Sequence, residues 1–384
     1  MPKHRLRNRR RIHLAFYTNL FYPNGNIYVL RSLMKGLAGK GFTVTLIARL
    51  NKGMSSFTRS LSGIRQVIPL DQRAGAFKIL PQLAKDPPDV FVNSGPGGGF
   101  AEIALRLRRP LFWRVTNHPQ WWGSLQGASP ERTRQIIRQI GLLSTRMIAL
   151  SDHVKSCFIR EGFRRIETLY DGCDTNRFRP DPRERAQFRR EFGLREKELA
   201  IGTVANIEWR KRQDILIRAL SLVPPKFPFK CFLVGDSSQS WMQNYKRKLQ
   251  DAIQKLRLSN KIVFTGLRND IRRVMNGLDI FLLPSLGEGC PSALLEAMAC
   301  EKPVIVSRTG PFPEIVTHNR EGILAEPGNP DSFAKELEKL CGDPEKRTAM
   351  GKRGRLKVTR QFSLDRQVNA YASFFEKYSS RGGF

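Results

Sequence analysis

Two glutamates, Glu288 and Glu296, have seven residues between them in the stretch Ser285-Leu-Gly-Glu-Gly-Cys-Pro-Ser-Ala-Leu-Leu-Glu296. A Gly-Cys-Pro turn follows the first, and a run of helix formers carries the second. Gly289 and the small residues after it let a ligand approach the backbone, and Pro291 suits the first helical turn. The N–H groups of Ser292, Ala293 and Leu294 then read as a ready anion site, with Cys290 in the turn beside them. A carboxylate one turn further in, Glu296, can accept hydrogen bonds from a vicinal diol such as a ribose. Charge-assisted bonds of that kind contribute about 1.5–3 kcal/mol each. Glu288 lies ahead of the helix, where a phosphate would repel it, so hydroxyl groups are its natural partners. The competing reading is that both are ordinary surface glutamates.

A second cluster weighs against that. Thr203-Val-Ala-Asn-Ile-Glu-Trp-Arg-Lys-Arg-Gln-Asp214 ends a strand and turns into a helix, with Asn206, Arg210, Lys211 and Arg212 in the turn. Cations at the carboxyl end of a parallel strand can neutralise a diphosphate, and a guanidinium does so bidentately. His118, in Val115-Thr-Asn-His-Pro, follows another strand end and is kept for substrate contact or acid–base work, although a lone histidine is more often structural. The loop Gly95-Pro-Gly-Gly-Gly-Phe100 fails the dinucleotide fingerprint. Phe100 holds the third glycine position, and Arg114 lies where an acidic residue belongs. A permissive loop lining a ligand site fits it better. No metal site is expected: Asp-x-Asp and Cys-x-x-Cys are absent, and the six cysteines are scattered as free thiols of a reducing compartment.

These residues need strand–turn–helix frames, and the hydrophobic pattern supplies them. Strands are expected at 12–17, 42–48, 89–93, 111–116 and 146–151, with helices at 27–38, 100–107 and 152–161. A second array follows. Its strands are expected at 200–205, 230–234, 262–265, 280–283 and 304–307, and its helices at 214–222, 245–256, 271–276 and 292–299. The reading is α/β, with two doubly wound Rossmann-like domains facing across a cleft. The expected divisions are a basic tail 1–11, an N-terminal domain 12–180, a linker 181–198, a C-terminal domain 199–362 and a closing segment 363–384 that carries an amphipathic helix.

The chain has 384 residues, and 66 Lys+Arg against 34 Asp+Glu give a formal charge of +32. That excess implies a polyanionic partner. The cluster Lys3, Arg5, Arg7, Arg9, Arg10 and Arg11 suits an anionic membrane surface, at roughly 1 kcal/mol per basic residue near it. Nucleic acid fits less well, because no binding motif accompanies the charge. No apolar run reaches the ~18 residues of a membrane span, and no signal peptide is read at the start.

Together these stretches resemble the retaining glycosyltransferases of the two-Rossmann-domain (GT-B) type, family 4. The match runs from about Ile12 to Tyr378. Its most specific part is Glu288 to Glu296, followed by Lys302-Pro-Val-Ile-Val-Ser and Gly310-Pro-Phe-Pro-Glu-Ile-Val. Tyr170-Asp-Gly-Cys-Asp-Thr-Asn-Arg-Phe178 and the Arg210-Lys211 turn add to it. The resemblance implies that Glu296 binds the nucleotide ribose and that Glu288 faces the transferred sugar. The Gly289 to Ala293 backbone would lie beside sugar and phosphates, with Lys211 on the diphosphate and Gly25 near the donor phosphates. It further implies a C-terminal donor domain, an N-terminal acceptor domain and a last helix that returns to the first domain. The expected activity is retaining, metal-independent sugar transfer from a nucleotide diphosphate donor, used as co-substrate without a cofactor. The acceptor would be a glycan or glycolipid hydroxyl in cell-envelope polysaccharide or lipopolysaccharide synthesis, at the inner face of the cytoplasmic membrane. Two other readings stand beside it: a sugar-nucleotide epimerase or hydrolase, and a polyanion-binding protein with a degenerate donor site. Many family members have arginine where this chain has Asn206, asparagine where it has Asp171, and a double glycine where only Gly25 remains.

Overall fold

The computed structural model describes residues 11–20, 25–50, 61, 63–70, 76–95, 98–117 and 129–379. The chain forms two units. The first comprises Met1–Ala149, Cys157–Leu169 and Gln367–Phe384, and the second Leu150–Ser156 and Tyr170–Arg366.

The first unit is built on seven parallel strands in the order β3-β2-β1-β4-β5-β6-β7. They are β1 (His13–Leu20), β2 (Thr43–Leu50), β3 (Gln66–Leu70), β4 (Val90–Asn93), β5 (Leu111–Val115), β6 (Arg146–Ala149) and β7 (Ile166–Thr168). Helices α1 (Gly25–Gly39), α2 (Leu80–Lys85), α3 (Gly98–Arg106), α4 (Pro130–Leu143) and α5 (Asp152–Arg160) connect them, with Asp152–Ser156 of α5 counted in the second unit. Strands buried on both faces read as unbroken apolar runs, as Val-Phe-Val in β4 and Leu-Phe-Trp in β5 do.

The second unit holds six parallel strands in the order β10-β9-β8-β11-β12-β13. These are β8 (Leu199–Val204), β9 (Phe229–Val234), β10 (Ile262–Gly266), β11 (Ile280–Leu283), β12 (Val304–Ser307) and β13 (Ile323–Ala325). Its helices are α6 (Pro182–Glu191), α7 (Gln213–Ser221), α8 (Ser240–Lys255), α9 (Ile271–Gly277), α10 (Ser292–Ala299), α11 (Phe312–Ile315), α12 (Pro330–Gly342) and α13 (Pro344–Gln361). Alternation along β9 sends Cys231 and Leu233 into one apolar cluster and Phe232 and Val234 into the other, so both faces of the sheet are cored.

The last helix, α14 (Leu364–Ser379), begins in the second unit and continues in the first. There Phe374 and Phe375 pack on Phe112 of β5, with ring centroids 5.1 and 5.9 Å away. Tyr371 accepts a 3.2 Å hydrogen bond from the Nε of Arg114, a fully buried arginine of β5.

The stretch 181–198, expected as a linker, belongs to the second unit, where its helix α6 is part of the core. Asp181 caps α6 by accepting from the amides of Arg183 and Glu184. Phe188 is fully buried, with its ring centroid 4.9 Å from that of Phe232. Arg185 holds Asp279 at 2.7 Å, and Glu184 pairs with Arg272 and Arg273 of α9. Tyr170–Pro180 also lies in the second unit. Phe188→Ala should therefore cost about 3–5 kcal/mol by urea unfolding. A loss below about 0.5 kcal/mol, as for a surface substitution, would return α6 to the status of a linker.

Candidate active site

Doubly wound sheets bind ligands outside the carboxyl ends of their strands, where the strand order reverses. In the second unit that point lies between β8 and β11. The turn after β8 carries Asn206 to Arg212, and the turn after β11 carries Ser285 to Pro291. The amide of Leu286 donates to the carbonyl of Arg210 at 3.0 Å and joins the two turns. Gly235, at the end of β9, supports the first one from behind. A Cβ there would stand 1.9 Å from the carbonyl oxygen of Ala205, so only glycine fits. Gln213 donates to the carbonyl of Asn206 at 2.8 Å and closes the turn.

Three predicted side chains meet here. Lys211 Nζ lies 2.6 Å from Glu288 Oε1, and Arg210 lies close enough to stabilise the same carboxylate. Glu288 is 8% exposed. Burial pushes its carboxyl up, but Lys211 and Arg210 outweigh that and hold it below the usual carboxylate range. Arg210 is itself held by Glu208, with Nη2 2.6 Å from Oε1. Glu208 is only 5% exposed, and it was not picked out in the sequence. The one signal for it was a carboxylate two residues before a cation in a turn. Arg212 takes a left-handed backbone (φ 50°) and grips Asp214 through Nε and Nη2, both at 2.9 Å, so it faces the start of α7.

Helix α10 opens at Ser292 after Pro291, with no side-chain cap. The carbonyl of Pro291 accepts from Leu294 at 3.1 Å and Leu295 at 3.3 Å. The amide of Leu294, expected to be available to a ligand, is therefore engaged within the helix. The amides of Ser292 and Ala293 precede this ladder and remain the anion-facing pair. Gly289 and Pro291 are buried, while Cys290 is half-buried with its thiol 3.9 Å from the carbonyl oxygen of Asp171. Glu296 sits half-buried one turn further on. Desolvation pushes its carboxyl up to about 8, and Arg177 works against that shift. Arg177 comes from the 170–178 stretch, which carried the family resemblance but no assigned role.

Other predicted positions lie apart from this cluster. Gly25 is the first residue of α1, in the first unit. His118 and tail residues 1–10 lie outside the described residues. Among the described residues no group of His, Cys, Asp and Glu could hold a metal ion.

A pair of doubly wound parallel units with cations and a helix start at the switch point defines the GT-B class of fold. Residues 184–357 match the family of glycosyl transferases group 1, and residues 24–177 match glycosyltransferase family 4. The chain belongs to this glycosyltransferase family. It is 28% identical over 210 residues to N-acetyl-alpha-D-glucosaminyl L-malate synthase of Bacillus anthracis, covering 55% of this chain and 53% of that protein. It thus spans about half the length of this relative. It is also 28% identical over 295 residues to a GDP-mannose-dependent alpha-(1-6)-phosphatidylinositol monomannoside mannosyltransferase of Mycobacterium tuberculosis, covering 73% and 74% of the two chains. Among solved structures, Anabaena HepE in complex with UDP and glucose superposes with a TM-score of 0.84 at 21% identity, covering 96% of this chain and 100% of that one.

The buried pair makes two predictions. Lys211→Met leaves Glu288 buried with one cation fewer and should cost about 3 kcal/mol at pH 7. A depressed carboxylate contributes stability above its ordinary pKa and loses it as pH falls through the folded value. The difference between wild type and variant should therefore shrink below pH 4.5 in denaturant titrations. A loss that does not vary with pH would contradict the pairing. Glu296 has the opposite sign: its raised carboxyl costs stability as pH rises from its ordinary 4.5 towards 8. Glu296→Gln should match the wild-type melting temperature near pH 4.5 and exceed it increasingly towards pH 8. A constant difference would refute this.

Proposed function

We propose that the protein transfers a hexose-type sugar from a nucleotide diphosphate donor, bound in the second unit, to a hydroxyl of a glycan or glycolipid acceptor, with retention. The observation that carries this reading is the joining of a cation-bearing turn to a glycine-bearing turn at the switch point, directly before an uncapped helix start. Lys211, Arg210 and the amides of Ser292 and Ala293 form a site for the diphosphate. Glu296 takes the ribose hydroxyls, and Glu288 takes hydroxyls of the sugar. The catalytic contribution is electrostatic: fixed positive charge stabilises the leaving diphosphate as the glycosidic bond stretches. The acceptor oxygen attacks on the face the diphosphate leaves, and a leaving phosphate oxygen takes the acceptor proton. This scheme needs no metal and no covalent intermediate. HepE bound to UDP and glucose supports a nucleotide-sugar donor, and the mycobacterial mannosyltransferase supports a lipid-linked acceptor.

Attachment to an anionic membrane, at the inner face of the cytoplasmic membrane, completes the reading. It would bring the enzyme to precursors of cell-envelope polysaccharide or lipopolysaccharide. The net charge of +32 supports it, and among the described residues no helix is long and apolar enough to cross a membrane.

Incubation with labelled UDP-glucose, UDP-N-acetylglucosamine and GDP-mannose plus membrane extract tests the activity. Wild type should label an acceptor with one donor, and Lys211→Ala should lower kcat/KM about 10²–10³-fold. Sugar released from donor without any labelled acceptor would favour a hydrolase or epimerase instead.

A further inference from the structure

Three glutamates are buried among the described residues, Glu208, Glu288 and Glu321, and they are used in two ways. Glu288 and Glu321 reach lysines far along the chain, Lys211 at 2.6 Å and Lys357 of α13 at 3.7 Å, and so tie separate segments together. Glu208 does not. Its Oε1 accepts a 2.6 Å hydrogen bond from Arg210 Nη2, two residues on in the same turn. The side chain of Glu208 is 6% exposed and that of Arg210 18%. Burying a carboxylate is costly, and here it joins no two elements of the fold. What the pair does fix is the direction of a guanidinium.

The shape of the turn makes that direction matter. Trp209–Lys211 form a single 3-10 turn, in which consecutive side chains diverge by about 120°. The backbone alone therefore does not send Arg210 the way Lys211 goes, to Glu288. The main chain is already pinned: the Lys211 amide donates to the carbonyl of Glu208 at 2.9 Å, and the Leu286 amide donates to that of Arg210 at 3.0 Å. What remains adjustable is the arginine side chain, which has much rotamer freedom to lose. Glu208 removes that freedom by binding Nη2. The guanidinium is left near enough to Glu288 to help hold that carboxylate ionised.

On the transferase reading Glu288 takes hydroxyls of the sugar, so a cation beside it stands at the phosphate that carries the sugar. That phosphate is the terminal one of the nucleoside diphosphate product, and it gains charge as the glycosidic bond breaks. We propose that Glu208 is a positioning residue: it aims Arg210 at the sugar-bearing phosphate and so sets the preference of the site for a nucleoside diphosphate over a monophosphate. This deepens the transferase reading and rests on it, because it names the group that acts through Arg210 and the phosphate on which it acts.

The test is calorimetric, on the full chain, with UDP, UMP, GDP and GMP as probes. Wild type should bind the diphosphate of one pair more tightly than its monophosphate. Glu208→Ala should shrink that preference about tenfold or more, with monophosphate affinity unchanged. Glu208→Gln keeps an oxygen acceptor for Nη2 and should restore most of it. Arg210→Met should lose the preference as Glu208→Ala does, and the double variant should lose no more than Arg210→Met alone. The double variant leaves neither partner of the pair buried alone, so it carries the test where a single variant does not fold. A diphosphate preference kept in Glu208→Ala or in the double variant overturns the proposal. Equal weakening of diphosphate and monophosphate in Glu208→Ala, the mark of a merely structural brace, overturns it too, as does a further loss when Glu208→Ala is added to Arg210→Met. Failure of the donor reading looks different: wild type would bind neither UDP nor GDP, and the proposal would fall with it.

Discussion

The site in the second unit depends on one buried ion pair, Lys211 with Glu288. Burying either charge alone would be costly, and their mutual attraction offsets that cost only with close geometry. The 2.6 Å contact meets the condition. It fixes the turn after β8 to the turn after β11, and the Leu286–Arg210 backbone bond makes the same connection. Glu208 then holds Arg210, Gly235 lets the first turn pack against β9, and Pro291 starts α10 from the second turn. The charges are thus preorganised, and the proposed diphosphate would need little rearrangement to bind.

The same pair sets up a competition. On the proposed reading, a diphosphate beside Lys211 would share that cation with Glu288, while a sugar hydroxyl near Glu288 would relieve the carboxylate. Nucleotide and sugar would then act on opposite ends of one interaction. Glu296 adds a second polarity: desolvation favours its neutral form, and hydroxyl donors from a ribose would favour the carboxylate.

Much of this was legible from residue types. The interior strands were found because they are buried on both faces and read as apolar runs. Three edge strands, β3, β7 and β13, were not. Two of them have three residues, and β3 carries Pro69, which the edge of a sheet tolerates. Helix α13 escaped because only Met350, Gly351, Gly354 and Val358 of its 18 residues are buried, so it has no apolar stripe. Charge density made 178–195 read as a linker with a short helix and hid the place of α6 in the core, since its arginines serve Asp279 while a single phenylalanine is buried. Within the site, the glutamate pair and the basic turn could be read from spacing. The use of Glu208 as a brace, the approach of Arg177 to Glu296 and the capture of the Leu294 amide could not, because each depends on where the backbone turns. Asn93 is the sharpest case: its buried amide has no partner among the described residues, and nothing in Val-Phe-Val-Asn marks that.

The central claim is that Lys211 is shared between Glu288 and the donor diphosphate. Titration of Glu288→Gln with UDP and with UDP-glucose, against wild type, tests it most directly. With the carboxylate neutralised, Lys211 is released to the phosphates and sugar hydroxyls lose their charged acceptor. UDP should bind the variant more tightly than wild type, while the extra affinity contributed by the glucose should fall. Equal or weaker UDP binding by the variant, with the sugar's contribution unchanged, would contradict the account.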